Sequence, residues 1–271
     1  MKPVQLKAEV MRNEKLSSDI TRLTMMARDI ADIAKPGQFV MIRPTSCYDP
    51  LLRRPFSLHQ VTGDGLIEIL FKVVGRGTRI LSAVEVGEFL DVVGPLGKGF
   101  LDSSRENICL LGGGMGIAPL LFLAKWLVSK KTGDLNFNIV VLLGAATDSE
   151  ILPLLDDFEV MGLNVKIATD DGSLGYHGFV TDLLSKNLDP DNNWIIYSCG
   201  PYPMLKKVAG ISRDNNWQCQ VSLETIMACG IKACLGCALP KSESMKLTDT
   251  QPYAHVCKDG PVFDAAEVKW I

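Results

Sequence analysis

The sequence has little net charge and few histidines, and both shortages narrow the possible functions. Its 271 residues carry a formal net charge of −3, and no run of basic residues interleaved with aromatic residues occurs. Nucleic-acid binding is therefore not indicated. The three histidines, His59, His177 and His255, form no evident Ser/His/Asp constellation. We accordingly assign no acid–base catalytic residue.

A signal segment and a membrane-spanning run are also missing. The opening MKPVQLKAEV lacks the apolar core of a signal peptide. The longest uncharged apolar stretch, ICLLGGGMGIAPLLFLA at residues 108–124, is interrupted by four glycines and a proline. That composition is typical of a strand, a turn and a helix start rather than a bilayer span. We expect a cytoplasmic protein with no membrane partner, in which disulfides do not persist.

The first hundred residues alternate in the manner of a small β domain. Apolar residues make up 47% of the chain and charged residues 22%, as in ordinary globular proteins. Short alternating segments such as VQLKAEVMRN, GQFVMIRP and LIEILFKVV are separated by turn signals such as TGDG and GPLGKG. The pattern predicts an antiparallel β-barrel over residues 1–102.

From about residue 105 buried strands alternate with helices. NICLLGG, NFNIVVLLGA, NVKIATDDG, NWIIYSCGP and WQCQVSLE read as strands, with amphipathic segments between them. This order predicts a mostly parallel α/β domain over residues 103–224, with a nucleotide site at the carboxyl ends of its strands. Residues 225–271 show little periodicity, so we expect a bound metal centre to order them.

Two stretches of the barrel region are candidate cofactor sites. In RRPFSLH, residues 53–59, an arginine two residues before a strand can pair bidentately with a phosphate, and the serine can hydrogen-bond a heterocycle. Taken alone, the stretch is better explained as an edge strand with an exposed arginine. GRGT, residues 75–78, follows a strand and precedes ILSAV, which could begin a helix. Such a turn is an anion site or a plain hairpin turn, and taken alone it does not decide between them.

Two further turns lie in the α/β region. LGGGMGIAPL, residues 111–120, follows a strand and opens a helix, and its glycines allow close approach to a pyrophosphate. YSCGPYPM, residues 197–204, repeats this arrangement, with Cys199 either at a ligand site or simply buried. In the acidic loop TDDGSLGYHG, Asp170 or Asp171 could accept a hydrogen bond from a ribose, but a loop of this composition is more often solvated than a binding site.

Four cysteines near the end of the chain have metal-ligand spacing. Cys229, Cys234 and Cys237 lie within ACGIKACLGC, and nineteen residues separate Cys237 from Cys257. The C-x4-C-x2-C…C order matches plant-type [2Fe–2S] sites. Zinc knuckles usually have two matched cysteine pairs, and no second such pair is present. The spacing therefore favours a [2Fe–2S] cluster, with four thiolates completing the ligand set.

Taken together, RPFS, the Gly-Thr turn, GGGxGxAPL, CGP and the cysteine pattern resemble a known family. It is the electron transfer subunit of the two-component, NAD-linked dihydroorotate dehydrogenases, in the ferredoxin–NADP reductase superfamily. The resemblance covers essentially the whole chain, and MACGIKACLGC with CKDGPVF is its most specific part.

The resemblance implies a flavin barrel, a nicotinamide-nucleotide domain and a terminal [2Fe–2S] segment at residues 225–271. FAD would be bound by Arg54, Pro55, Phe56, Ser57, Leu70, Phe71, Lys72, Gly77 and Thr78. NAD would be bound by Gly113, Gly114, Gly116, Cys199, Gly200 and Pro201. The cluster ligands would be Cys229, Cys234, Cys237 and Cys257.

The implied partner is a catalytic subunit that oxidises dihydroorotate on its own FMN, in a heterotetramer of two subunits of each kind. Its electrons would pass through the cluster and FAD to NAD⁺, in pyrimidine biosynthesis. Three alternatives stay open. They are the flavin subunit of an NADH-dependent ferredoxin–NADP oxidoreductase or sulfide dehydrogenase, a stand-alone reductase with an accessory cluster, and a binding module ordered by zinc.

Overall fold

The fold comes from a computed structural model that describes residues 2–131, 138–243 and 251–271. Within these ranges, six antiparallel strands of the amino-terminal part close into a barrel, in the order β1-β2-β5-β4-β3-β6. The strands are β1 (Val4–Lys15), β2 (Ile20–Met26), β3 (Phe39–Arg43), β4 (Arg54–Val61), β5 (Leu66–Lys72) and β6 (Phe89–Leu96). Short helices α1 (Arg28–Ala31) and α2 (Arg76–Leu81) lie between strands. The predicted barrel is confirmed.

The start of α2 differs from the sequence-based expectation. GRGT is not a turn ahead of a helix, because the helix begins at Arg76 inside it. The hydroxyl of Thr78 accepts hydrogen bonds from the backbone N–H groups of Val74 and Gly75, each at 3.1 Å. The threonine caps the helix that contains it, which explains why the helix starts earlier than expected.

The second part is a mostly parallel sheet covered by helices, as predicted. Its strands are β7 (Asn107–Gly113), β8 (Asn138–Ala145), β9 (Asn164–Thr169), β10 (Tyr176–His177), β11 (Trp194–Cys199) and β12 (Gln218–Ser222). The helices are α3 (Ala118–Lys131), α4 (Asp148–Glu159), α5 (Asp182–Asn187) and α6 (Tyr202–Asp214). The strand order changes direction between β7 and β11, and ligands bind at such a switch point.

The carboxy-terminal residues contain more regular structure than their sequence indicates. Strands β13 (Ala238–Pro240) and β14 (Tyr253–His255) pair antiparallel, and β15 (Val262–Asp264) adds an antiparallel edge to β12. Three-residue strands are too short to produce a periodic signal, so the sequence did not predict them. Residues 244–250 of the long loop before Cys257 lie outside the described residues.

Helix α3 joins the barrel to the sheet. It is buried on nearly every side, because the barrel covers one face and the sheet the other. Phe122 from α3 belongs to the apolar core of the barrel, whereas Ile20 and Leu70 from the barrel belong to that of the sheet. The apolar core of each domain therefore contains residues of the other domain. Among the helices of the described ranges, none is long and apolar enough to cross a bilayer.

Candidate functional site

A cavity of about 330 Å³ opens where the barrel meets the sheet and the cysteine segment. Its lining includes eight of the nine residues expected to bind FAD: Arg54, Pro55, Phe56, Ser57, Leu70, Phe71, Lys72 and Thr78. Gly77 is buried beside them, and a Cβ atom there would lie 3.2 Å from Nε of Arg54. The absence of a side chain at Gly77 thus leaves room for the guanidinium group.

The chemistry of this lining suits a flavin. Phe56 and Phe71 pack with ring centroids 5.3 Å apart, and Ser57 adds a hydroxyl beside them. One guanidinium nitrogen of Arg54 donates to the backbone carbonyls of Leu52 at 2.8 Å and Arg53 at 3.3 Å. That contact fixes the arginine at the cavity, where its other donors can meet phosphate oxygens.

Lys72 has a different environment from that of the other predicted flavin residues. Its Nζ lies 2.7 Å from a carboxylate oxygen of Glu150 on α4 and 3.2 Å from one of Asp19. The hydrogen bond to Glu150, followed by that to Asp19, raises the pKa of Lys72. The ammonium group therefore bridges the barrel and the α/β domain, although the residue lines the first cavity, which is called the flavin cavity below.

Several cavity residues were not found from the sequence. They come from β3, from the stretch between β5 and α2, from the residues around the start of α3, and from the end of β12 and the segment after it: Phe39, Val74, Met115, Ala118, Ser222, Leu223, Glu224, Thr225, Met227 and Pro261. Glu224 is exposed as a whole residue, but burial of its carboxyl group raises its pKa. Met115 and Ala118 belong to the glycine-rich motif at 111–120, and no local motif marks the other positions, because folding alone brings them to the barrel.

A second cavity, of about 500 Å³, lies at the carboxyl ends of the parallel strands. Of the predicted NAD residues, Gly113, Gly114 and Pro201 line it. Residues that the sequence did not single out complete the wall: Gly144, Ala145, Ala146, Glu150, Phe179, Val180, Thr181, Pro203, Met204 and Lys207. Thr181 is 3% exposed, and its hydroxyl has no hydrogen-bond partner among the described residues. A polar ligand in this cavity would supply the partner that the hydroxyl lacks.

Gly116, Cys199 and Gly200 lie behind this cavity rather than in its wall. A Cβ atom at Gly116 would stand 2.2 Å from the carbonyl oxygen of Cys199 and 2.5 Å from the nitrogen of Gly200. The two turns therefore touch backbone to backbone. Cys199 is 1% exposed, and burial raises the pKa of its thiol to about 12. The thiol is protonated at neutral pH.

The two aspartates left open by the sequence have different surroundings. Asp171 accepts hydrogen bonds from the backbone nitrogen of Ser173 at 3.0 Å and from its hydroxyl at 2.7 Å. Asp170 lines the second cavity, directly after β9. Asp170 therefore borders the cavity, whereas Asp171 organises its own loop.

The four cysteines come together in two pairs. The sulfur atoms of Cys237 and Cys257 are 3.2 Å apart and buried, whereas Cys234 is exposed and donates its thiol hydrogen to Cys229. No three metal-binding side chains of the described ranges converge on one ion. Two pairs of thiols fit a binuclear centre, in which each iron takes two protein ligands.

Backbone N–H groups of the loop point at these sulfur atoms. Those of Ile231, Ala233 and Cys234 donate to Cys229 at 3.3–3.4 Å, and that of Lys232 donates to Cys257 at 3.2 Å. Successive inward N–H groups form an anion-binding concavity. The loop reaches this shape with positive φ angles at Gly230 (72°), Lys232 (61°) and Leu235 (61°).

The loop also adjusts the acidity of its thiols. Burial opposes ionisation of Cys229, but hydrogen bonds from Cys234, Ile231 and Ala233 lower its pKa to about 7. Burial, with the neighbouring Cys237, raises the pKa of Cys257 to about 12. Metal ligation requires thiolates, and the N–H groups would stabilise them. The donor set and its cradle therefore fit an iron–sulfur cluster.

Comparison with known proteins agrees with this division into sites. Three family models match in succession: an oxidoreductase FAD-binding domain (7–100), an oxidoreductase NAD-binding domain (110–210) and the iron-sulfur cluster binding domain of dihydroorotate dehydrogenase B (224–269). A solved NADH-dependent reduced ferredoxin-NADP oxidoreductase aligns with TM-score 0.84 and 32% identity over 98% of this chain and 90% of that one. The cytochrome b5 reductase domain of Ulva prolifera nitrate reductase, at TM-score 0.62 and 22% identity over 75% of this chain and 89% of that one, shares the fold.

The fold and the matched domains define an FAD- and NAD-binding oxidoreductase with an iron–sulfur domain. Curated relatives include the "Dihydroorotate dehydrogenase B (NAD(+)), electron transfer subunit" of Desulforamulus reducens, 40% identical over 90% of each chain. The protein of that description from Caldanaerobacter subterraneus subsp. tengcongensis is 38% identical over 97% of this chain and 98% of its own. The chain belongs to the family of dihydroorotate dehydrogenase B electron transfer subunits.

Proposed function

We propose that this chain carries electrons from a flavin-containing catalytic subunit to NAD⁺, through a [2Fe–2S] cluster and FAD. The observation that best supports this function is the flavin cavity, whose wall combines the barrel, the region before α3 and the segment leading to the cysteines. Met227 lines the cavity, and Cys229 follows two residues later. A cluster held by the cysteines would therefore lie next to the flavin.

In this proposal the residues bind and orient the groups without acid–base chemistry. The thiolates of Cys229, Cys234, Cys237 and Cys257 hold the cluster, the Arg54–Ser57 stretch holds FAD, and the turns at 113–116 and 199–201 hold NAD. FAD, when bound, couples single-electron exchange to hydride exchange with a nicotinamide. The corresponding functional parts are residues 1–102, 103–224 and 225–271, and β15 of the last part completes the sheet of the second.

The relatives support a proposal for the partner. Their shared description indicates a second, catalytic subunit, and we infer that it oxidises dihydroorotate on FMN in pyrimidine biosynthesis. A heterotetramer of two subunits of each kind, in the cytoplasm, completes the proposal. Co-expression of both chains and measurement of the mass of the complex would test the stoichiometry. A one-to-one dimer would contradict it.

The relay is tested by purifying the FAD-loaded chain anaerobically and changing one ligand. We expect flavin absorbance and about two irons per chain. Cys234→Ser should abolish electron flow from the partner, while NADH still reduces the flavin because the NAD and FAD cavities do not contain this residue. Cys47→Ser, at an exposed cysteine outside the cluster, is the matched control.

The results of this test distinguish the proposed function from the alternative functions. Zinc in place of iron, with no visible absorbance beyond the flavin, would contradict the relay and favour a zinc-ordered module. Unchanged electron flow in Cys234→Ser would also overturn it. Full turnover with a soluble acceptor and no partner chain would favour the stand-alone reductase.

A second candidate function is favoured by one structural comparison. The NADH-dependent reduced ferredoxin-NADP oxidoreductase, at 32% identity, covers nearly the whole chain. A subunit of that type would have the same internal electron path but a different partner. Assay of the purified complex with dihydroorotate and with reduced ferredoxin distinguishes them. Reduction of NAD⁺ by dihydroorotate supports the first function, and activity with ferredoxin alone supports the second.

A further inference from the structure

One buried histidine connects the flavin strand to the NAD domain. His59 lies on β4, two residues after Ser57, and it is 0% exposed. The pairing of β4 with β5 shifts register between Leu58 and Gln60, which makes His59 the extra residue of a β-bulge. Bulges occur beside functional sites because they redirect a side chain. Here the bulge places the imidazole against α3.

The imidazole makes a short hydrogen bond to the start of that helix. Its Nδ1 lies 2.7 Å from the backbone carbonyl oxygen of Ala118. A carbonyl only accepts, so Nδ1 is the donor. Ala118 is the first residue of α3 and follows the glycine turn whose Gly113 and Gly114 line the NAD cavity. Ala118 itself lines the flavin cavity, together with Ser57.

Neighbouring polar contacts hold the same face of the barrel on α3 and α4. Asp157 of α4 lies 3.8 Å from Nε2 of His59 and forms an ion pair with Arg22 of β2. Gln60, next to His59, accepts a hydrogen bond from Lys125 of α3. The imidazole thus lies within an interdomain contact, flanked by polar side chains of α3 and α4.

We propose that His59 is a positioning residue, whose hydrogen bond to the Ala118 carbonyl holds the glycine turn of the NAD domain in register with the flavin strand. The inference rests on the proposed function, since the register matters only if a nicotinamide must meet the flavin. Hydride transfer needs its two partners closely aligned, and a displacement of about 1 Å can lower a rate on the order of a hundredfold. Loss of the bond should therefore lower the rate of transfer more than the affinity for NAD.

The test uses the full chain in its FAD-loaded form and three substitutions of one side chain. His59→Leu removes the donor, His59→Gln places an amide one bond farther out, and His59→Asn returns a donor to the position of Nδ1. Asn13→Leu is the matched control, because it removes a side-chain donor to the Val84 carbonyl at 2.7 Å within the barrel. The readouts are the limiting rate of flavin reduction by NADH, the Kd for NAD⁺ and amide hydrogen exchange of residues 112–122.

In His59→Leu and His59→Gln we expect the limiting rate to fall roughly tenfold or more, and amide exchange of residues 112–122 to accelerate. The Kd should change by less than about threefold, a difference of less than 1 kcal/mol. His59→Asn should restore rate and protection, and Asn13→Leu should leave both unchanged.

Two outcomes would overturn the inference: unchanged rate and exchange in both His59→Leu and His59→Gln, or an equal loss in His59→Asn. If His59→Leu does not retain FAD, the comparison of His59→Gln with His59→Asn gives the same decision. Should NADH fail to reduce the flavin of the unaltered chain, the proposed function fails instead, and the exchange measurement still reports on the hydrogen bond.

Discussion

The cysteine loop and the two nucleotide cavities form their sites in different ways. Three of the four cysteines and the N–H groups that point at the sulfur atoms lie within residues 229–237. The flavin cavity instead collects residues from Phe39 to Pro261, and the NAD cavity needs the ends of several strands. A local site depends on backbone shape over a few residues, whereas an assembled site depends on how whole elements dock. Substitutions should therefore have different consequences in the two regions.

The largest effect is expected where the assembled NAD site has no free space. In Gly116→Ala the new Cβ atom would stand 2.2 Å from the carbonyl oxygen of Cys199, and backbone cannot move aside as a side chain can. The turns after β7 and β11 would separate, so we expect the Kd for NAD⁺ to rise more than about tenfold. Calorimetric titration with NAD⁺ measures it.

The matched control is the same substitution at Gly210, in the interior of α6, where a Cβ atom meets nothing within 4 Å. Gly210→Ala should leave NAD⁺ binding unchanged and stabilise the helix by up to about 1 kcal/mol. Equal affinities in the two variants would show that contact between the turns does not shape the site. The NAD site would then not depend on how closely these two turns dock.

A smaller effect is expected at the edge of the same cavity. Asp170 lines it, and a carboxylate there can accept a hydrogen bond from a ribose hydroxyl but repels a phosphate group at that position. In Asp170→Ser we expect the preference for NADH over NADPH, as a ratio of Kd values, to fall roughly tenfold, which corresponds to about 1.4 kcal/mol. Titration of the flavin-loaded chain with both nucleotides measures the ratio.

Asp171→Ser provides the contrast, because that carboxylate is held by Ser173. We expect it to change the stability of the loop and leave the nucleotide preference unaltered. A shift of the ratio in Asp171→Ser, with none in Asp170→Ser, would assign the ribose to the other aspartate.

The same division explains what the sequence could predict. The cysteine spacing indicated the cluster because three of its ligands lie close together in the chain, and the barrel and the parallel sheet followed from their strand and helix periods. The positions of Ser222, Glu224 and Pro261 in the flavin wall could not be predicted, since only docking brings them to the barrel. The contact of His59 with α3 could not be predicted either, because the bulge that redirects its side chain leaves no pattern in the residues of one strand.

The assignments of single residues to FAD, NAD and the cluster stay predictions. Gly116, Cys199 and Gly200 were expected to contact NAD, but the structure places them where two turns pack together. Motif reading identifies such glycines without saying whether they face the ligand or the neighbouring turn. The distinction requires the distance between two backbones, and sequence spacing does not contain it.

The smallest effect is expected in the local site, where backbone shape is kept while a side chain is removed. Leu235 adopts a φ of 61° and is 53% exposed, so its side chain contributes little packing. Leu235→Gly relieves the cost of the left-handed conformation, about 1–2 kcal/mol. The greater freedom of glycine in the unfolded chain offsets about 0.5–1 kcal/mol of that gain. We expect the free energy of unfolding to rise by about 0–1.5 kcal/mol, the difference between these two terms, with iron content and reduction potential of the cluster unchanged. Chemical denaturation measures the free energy of unfolding, and a redox titration measures the potential. The control is Leu101→Gly, at a residue that is 71% exposed and has no positive φ. We expect that control to destabilise the protein. A changed potential in Leu235→Gly would mean that this side chain, and not the backbone alone, shapes the surroundings of the cluster.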